Sequence, residues 1–325
     1  MTHAILFHQV GGPEQLKFES VSDIPPAPGE ARVVHRAIGV NFIDTYHRTG
    51  LYPLPAYPSG IGLEAAGIVD AIGEGVSDVA VGDRVVYAGG AVGAYSEARN
   101  IATERLVKIP DLISYDQAAA MLLKGMTVEF LTYRAFRVAA GQTVLWHAAA
   151  GGVGLIACQW LSHRGVHVIG TVSSDEKAAL ARAHGCAETI IYTREDFVKR
   201  LVELTHGQKV PVVYDSVGKS TFLGSLDCLQ PRGMYVGFGN ASGKAEPFDI
   251  GQLAAKGSLY ITRPTLFTYT AARSDLLNSA ATLFEAVLQG AVKIHISERF
   301  KLSEARRAHE HLESRQSTGS LLLMP

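Results

Sequence analysis

From about Gly125 to Pro264, short apolar runs alternate with longer stretches of helical period. Thr143–His147, Val166–Val172, Thr189–Tyr192, Pro211–Asp215, Met234–Phe238 and Leu259–Thr262 read as buried strands. Gly152–Arg164, Asp175–His184, Asp196–Thr205 and Ser220–Leu229 read as helices. Gly165 and Gly185 stand just past two of these, where a left-handed residue closes a helix. Such alternation predicts an α/β fold with a doubly wound parallel sheet.

The chain before this region is punctuated differently. Arg32–Ala37, Ala65–Ile72 and Asp83–Tyr87 are β-like pieces divided by clusters such as Pro25-Pro26-Ala27-Pro28-Gly29 and Tyr52-Pro53-Leu54-Pro55-Ala56-Tyr57-Pro58. Clusters of this kind predict a compact, mostly antiparallel β domain. After Pro264 come a helical pattern (Ala271–Gln289), a strand (Lys293–Ile296), a helix (Ser303–Ser314) and an apolar strand (Leu321–Leu323). Residues 265–325 are few for a separate domain, so they are expected to fold back onto the first part, 1–124. The parallel-sheet domain, 125–264, then reads as an insertion.

Composition narrows the function. Thirty Lys+Arg against 31 Asp+Glu, with no basic stripe, gives no electrostatic footprint for nucleic acid. The 3 cysteines, Cys158, Cys186 and Cys228, are too few for a disulfide scaffold or a four-cysteine zinc lobe. Met1–Gly12 carries no basic segment ahead of its apolar run, so no secretory signal is expected. The uncharged stretch between Arg137 and Arg164 is interrupted by Gly151, Gly152 and Gly154, and fits a strand, a turn and a buried helix better than a membrane span. A soluble, cytoplasmic protein is expected.

Chemistry enters at His147-Ala148-Ala149-Ala150-Gly151-Gly152-Val153-Gly154, which follows a predicted strand and opens a predicted helix. In the G-x-G-x-x-G frame of a dinucleotide turn the three positions are Ala149, Gly151 and Gly154. Gly151 would let the backbone approach a pyrophosphate, and Gly154 would let the helix pack closely on the strand. The helix N-terminus supplies free N–H groups for the phosphates. About 20 residues on, an NAD site wants an acid, whereas Val172 here leads into Ser173 and Ser174, with Lys177 on the following helical turn. Small neutral residues and a lysine point to NADPH. Asp175 is the rival, able to meet a ribose hydroxyl, but it is expected to cap the helix.

Taken together, Ala148 to Gly154, Asn41-Phe42-Ile43-Asp44-Thr45-Tyr46 with Gly50-Leu51-Tyr52-Pro53, Gly60 to Gly67, Tyr214-Asp215-Ser216-Val217-Gly218, Gly237-Phe238-Gly239-Asn240 and Thr262-Arg263-Pro264 carry a family resemblance. The chain resembles the zinc-independent, zeta-crystallin-like NADPH:quinone oxidoreductases of the medium-chain dehydrogenase/reductase superfamily, over essentially its whole length. The resemblance implies a Rossmann domain inserted into a GroES-like β domain, with the active site in the cleft between. It also implies a homodimer, to which the apolar edge Leu259-Tyr260-Ile261-Thr262 independently points. Zinc-bearing relatives have a Cys where this chain has Asn41 and a Gly-His-Glu where it has Gly62-Leu63-Glu64. Leucine cannot coordinate and an amide is a poor zinc ligand, so no metal is expected, and Glu64 is read as part of a polar network.

The expected cofactor contacts are Asn41, Ala150, Gly151, Gly152, Val153, Gly154, Ser173, Ser174, Lys177, Ser216, Phe238, Gly239, Asn240, Thr262, Arg263 and Pro264. The resemblance adds Tyr192 to the phosphate pocket and Arg315 at the adenosine end. The acceptor pocket is expected at Asn41, Asp44, Tyr46 and Tyr52, in one loop-rich stretch. Asn41, Tyr46 and Tyr52 would donate hydrogen bonds, and Asp44, acceptor-only at neutral pH, would fix a donor or the ribose. Because a quinone becomes a stable phenolate after hydride arrives, no dedicated proton relay is expected. The rival readings are a reductase of α,β-unsaturated ketones and a non-catalytic NADPH-binding protein with a structural or RNA-associated role. His309-Glu310-His311 puts its histidines on different helix faces, unsuited to joint metal binding, and His147 is read as a hydrogen-bonded core residue.

Overall fold

The structure, a computed structural model, describes residues 2–325. The chain divides into two compact units, one made of residues 1–126, 270–288 and 294–325 and the other of 127–269 and 289–293.

The first unit is built on a 7-stranded sheet whose path runs Ile296–Lys301, Ser320–Met324, Glu30–Val40, Glu64–Ile72, Arg84–Ala88, Val107–Lys108, with Ala98–Ala102 also paired to Glu30–Val40. The pairings are antiparallel except the first, which is parallel. Leu321, Leu322 and Leu323 lie opposite Val40, Gly39 and Ile38, so the end of the chain does return to the N-terminal β region. Alternation in Glu30–Val40 turns Ala31, Val33 and His35 inward. The buried imidazole of His35 is satisfied by Ser96 O at 2.6 Å and the Tyr87 hydroxyl at 2.9 Å. Gly67 is required where this strand bulges, because a Cβ there would stand 2.1 Å from Val34 O.

The second unit is a 6-stranded parallel sheet in the order Glu188–Ile191, His167–Val172, Thr143–Trp146, Val210–Asp215, Leu229–Gly237, Tyr260–Thr262. Central strand residues Val144, Leu145 and Trp146 are buried on both faces, which explains their unbroken apolar run. Helix Gly152–His163 buries Gly154 to Cys158, Trp160 and Leu161 against this sheet's side of the unit. Succession reverses between Thr143–Trp146 and Val210–Asp215, and ligands of open α/β sheets bind outside the carboxyl ends of the strands at such a point.

Three expectations need correcting. The strand foreseen at Lys293–Ile296 is instead Ile296–Lys301, because its parallel partner Ser320–Met324 meets it only from Ile296 onward. The strand foreseen at Met234–Phe238 begins at Leu229, and its register shifts across Pro231-Arg232-Gly233, where Arg232 has φ 63°. The stretch from Asn41 is not loop-rich throughout: Phe42–Arg48 is a helix with Asn41 as N-cap. Tyr115–Phe130 is a further helix that the β-like reading of the N-terminal part did not foresee.

Candidate active site

In the second unit, the residues expected to hold the cofactor gather at the carboxyl ends of the parallel strands. Ala148 to Gly151 follow Trp146, Ser173 and Ser174 follow Val172, and Tyr192 follows Ile191. Gly151 is the N-cap of Gly152–His163, with φ −78° and no side-chain cap, so the N–H groups of the first turn are left to an anion. At Gly154 a Cβ would lie 2.4 Å from Ala148 O and 2.5 Å from Ala149 O, so only glycine lets the helix sit this close to the turn.

Ser216, Phe238, Gly239 and Asn240 lie just past the ends of Val210–Asp215 and Leu229–Gly237, and Phe238 N donates to the backbone oxygen of buried Asp215 at 2.7 Å. Its carboxylate accepts from Val217 N at 2.7 Å, Gly218 N at 3.1 Å, the Thr221 hydroxyl at 2.7 Å and the Tyr235 hydroxyl at 3.1 Å. A Cβ on Gly239 would stand 2.4 Å from Ser216 O, so the two turns are in backbone contact. Arg263 donates to Gly237 O at 3.1 Å, and Thr262 pairs with Val236 in the sheet, with Pro264 following. His147 is held by Thr171 Oγ1 at 2.9 Å and Ser225 Oγ at 3.0 Å, as a core residue should be.

At the second strand the helix cap is Ser174, whose hydroxyl accepts from Lys177 N at 3.3 Å. This corrects the reading of Asp175 as the cap. Asp175 is the first helical residue, and both its oxygens take the guanidinium of Arg194 at 2.6 and 2.8 Å, which holds its carboxyl below the usual range. Arg194 was not foreseen, since nothing local in the sequence marks it as a partner. Burial lowers the Lys177 ammonium from its ordinary value, and Tyr192 stays exposed at 44%.

In the first unit Asn41 is paired with Asp44, and Tyr46 with Tyr52. Asn41 N donates to Asp44 Oδ2 at 2.8 Å, the reciprocal arm of a capping box that Asn-x-x-Asp spells in the sequence. Tyr52 N donates to Tyr46 O at 3.0 Å, and the two rings meet edge-on at 5.2 Å. The amide of Asn41 is committed, donating to Glu64 Oε2 at 2.8 Å, which leaves its carbonyl oxygen as the group to offer a ligand. Its expected role as a donor is corrected accordingly. Glu64 is buried, takes Leu123 N at 2.7 Å on its other oxygen and stands 3.5 Å from Lys124 Nζ. Arg315 lies in the first unit, in an exposed turn after helix Ala305–Glu313, with φ 62°.

Asp44 also departs from expectation. It is fully buried, and desolvation, against the Asn41 N–H, Tyr95 hydroxyl and Lys124 that favour the anion, raises its carboxyl to about 7. Asp44 is therefore not acceptor-only at neutral pH. Tyr95, Arg48 and His309, which complete its surroundings, were not foreseen as site residues. Of the paired histidines, His309 is buried in this cluster and His311 faces Glu298 at 3.6 Å.

Fold and turn chemistry together define a medium-chain dehydrogenase/reductase. The alcohol dehydrogenase GroES-like domain matches residues 27–111, and the zinc-binding dehydrogenase family matches residues 152–279. A quinone oxidoreductase of Pseudomonas aeruginosa is 53% identical over 325 residues, covering 100% of both chains. The solved Escherichia coli quinone oxidoreductase complexed with NADPH superposes with a TM-score of 0.98 at 49% identity, over 99% of this chain and 100% of that one. A 2-haloacrylate reductase of Burkholderia is 44% identical, covering 100% of this chain and 99% of its own. The chain belongs to the quinone oxidoreductase family.

The zinc of the broader dehydrogenase class does not fit these residues. Asn41 spends its amide on Glu64, Leu63 is a buried hydrocarbon, and no group of three or more His, Cys, Asp or Glu residues among the described ones could hold a metal ion. NADPH does fit: the uncapped helix start at Gly151 and the small residues before Lys177 are what a pyrophosphate and a 2′-phosphate require. No described helix is long and apolar enough to cross a membrane.

Proposed function

We propose that the chain reduces quinones with NADPH, without a metal. The observation that carries this reading is full-length similarity to quinone oxidoreductases, one of them solved with NADPH. Bound NADPH supplies the hydride. Ala150, Gly151, Gly152, Val153 and Gly154 hold its pyrophosphate by backbone N–H groups. Ser173, Ser174, Lys177 and Tyr192, with Arg194 beside them, take the 2′-phosphate, and Arg315 the adenosine end. Ser216, Phe238, Gly239, Asn240, Thr262, Arg263 and Pro264 line the nicotinamide side. Tyr46 and Tyr52 orient the acceptor and polarise its carbonyl, Asn41 offers its amide oxygen to the bound ligand, and Asp44 holds Asn41. Their task is positioning and stabilising the developing oxyanion.

The test is NADPH oxidation, followed by absorbance, with a panel of quinones, enones and 2-haloacrylates. Turnover highest with quinones supports the reading. Alkenes turned over faster than every quinone would replace it, and no turnover with any acceptor would return the chain to a binding protein. We further propose a cytoplasmic homodimer. NADPH is an intracellular reductant, and the outer strand Tyr260–Thr262, with Tyr260 57% exposed, is a sheet edge that a second copy can pair.

A further inference from the structure

We infer that Tyr95 and His309 are positioning residues for the acceptor site, acting through Asp44 to hold Asn41 in place. The inference rests on the quinone reading above and extends it to residues far from Asn41 in sequence.

Each link in the line is fixed by the donor before it. Arg48 is always protonated, so its Nη1, 2.8 Å from His309 Nδ1, must donate there. That contact places the single proton of neutral His309 on Nε2, which faces the Tyr95 hydroxyl at 3.1 Å. The hydroxyl therefore accepts from His309 and has its own proton to give. It gives it to Asp44 Oδ2 at 2.9 Å. The same oxygen takes Asn41 N at 2.8 Å, which fixes the start of helix Phe42–Arg48 and with it the Asn41 side chain. Arg48 is anchored at its far side by Gly11 O at 3.1 Å and Glu313 at 2.7 Å. Rotors and tautomer are thus set in one direction from Arg48 to Asp44, where Asn41 N donates in from the other side.

Burial makes the line consequential. Arg48, Tyr95, His309 and Asp44 all lie within about the first percent of exposure, at 1%, 0%, 0% and 0%. Both donors fall on Oδ2 of Asp44, while Oδ1 is buried without a hydrogen-bond partner. The anion is held from one side only, and its charge is faced by Lys124 in favour and by Glu64 against. Burial and the Arg48 charge keep His309 neutral, with its proton acceptance pushed down to about 3. The histidine consequently stays a one-proton link across the working pH range, and Asp44 is the member that titrates.

The experiment is the pH profile of kcat/KM for the quinone in the native protein and four variants. The native profile is expected to fall on the acid side as Asp44 takes up a proton and weakens its hold on Asn41 N. Tyr95→Phe removes one donor to the anion without changing the ring, and should move that limb up by about one pH unit. His309→Leu should move it likewise. His309→Gln, which can accept from Arg48 and donate to Tyr95, should restore the native position. Asp44→Asn should flatten the limb. A KM for NADPH within about twofold of native in Tyr95→Phe would place the effect on the acceptor side. Native turnover with a limb that stays put in all four variants would overturn the inference and leave the quinone reading standing. Should no quinone turn over, the pH dependence of the melting temperature reads the same Asp44 proton. A melting profile identical in native, Tyr95→Phe and Asp44→Asn proteins would overturn the line on its own.

Discussion

Alanine at Gly151 and alanine at Gly154 should do opposite things to one protein, although the two residues lie in the same turn. At Gly154 the new Cβ meets backbone on three sides, at 2.4 Å from Ala148 O, 2.5 Å from Ala149 O and 2.6 Å from the Ala149 carbonyl carbon. None of these atoms can rotate away, so helix Gly152–His163 must lift from the strand end. Overpacking of this kind costs about 1–3 kcal/mol. For a unit of this size each kcal/mol lowers the melting temperature by about 2–4 °C, so a drop of about 2–12 °C is expected without any cofactor. At Gly151 the nearest atom to a Cβ is Ala148 O at 3.3 Å, and φ −78° with ψ 172° is backbone that alanine adopts freely. The cofactor-free melting temperature should stay within about 2 °C, because the restricted unfolded chain offsets a slight crowding. NADPH binding should nonetheless weaken about 10–100-fold, as the methyl group stands where the pyrophosphate approaches the backbone. Thermal melts of both variants without cofactor, paired with NADPH titrations followed by fluorescence, make the comparison. Native melting in Gly154→Ala, or native NADPH affinity in Gly151→Ala, would refute the division of roles.

Lys177→Ala should weaken NADPH about 10–100-fold and NADH less than about threefold, the loss of one charged hydrogen bond to the 2′-phosphate; equal losses in parallel titrations would remove Lys177 from that pocket. Tyr46→Phe and Tyr52→Phe should each slow quinone turnover by about tenfold or less, since orienting hydroxyls contribute less than the 10²–10⁴-fold typical of general acid–base groups; a loss of several thousandfold with NADPH binding intact would make that hydroxyl the proton donor. Burial lowers His35 to about 4, so its contribution to stability is present above its unfolded value near 6.5 and is lost as pH falls toward 4. At pH 5 this amounts to about 2 kcal/mol, and His35→Gln should flatten the melting profile between pH 7 and 5 by that amount; a profile as steep as native would show that His35 charges freely in the folded state. Sedimentation at micromolar concentration should give twice the 34.8 kDa chain mass, and a monomer there would exclude pairing of the Tyr260–Thr262 edges.

What the sequence determined by itself is local. The Thr143–His147 strand, the Gly151 to Gly154 turn and the Gly152–Arg164 helix are legible together because period, punctuation and turn chemistry all act over a few residues. The small residues after Val172 and the Asn-x-x-Asp cap at Asn41 belong to the same category, although the cap was masked by the Pro-rich run that follows it. The return of Leu321–Leu323 to the first sheet was also legible, since an apolar strand at the end of a chain must pair with something. Tertiary structure alone decided the pairs that no period relates. Arg194 reaches Asp175 from 19 residues away and turns an apparent ribose ligand or cap into half of an ion pair. Arg48 and His309 are 261 residues apart, and Tyr95 and His309 are 214 apart, yet they form one buried line to Asp44. The protonation of Asp44 follows from that burial. A carboxyl's charge depends on the groups packed around it and the water they displace, and neither is written in the residues beside it in the chain.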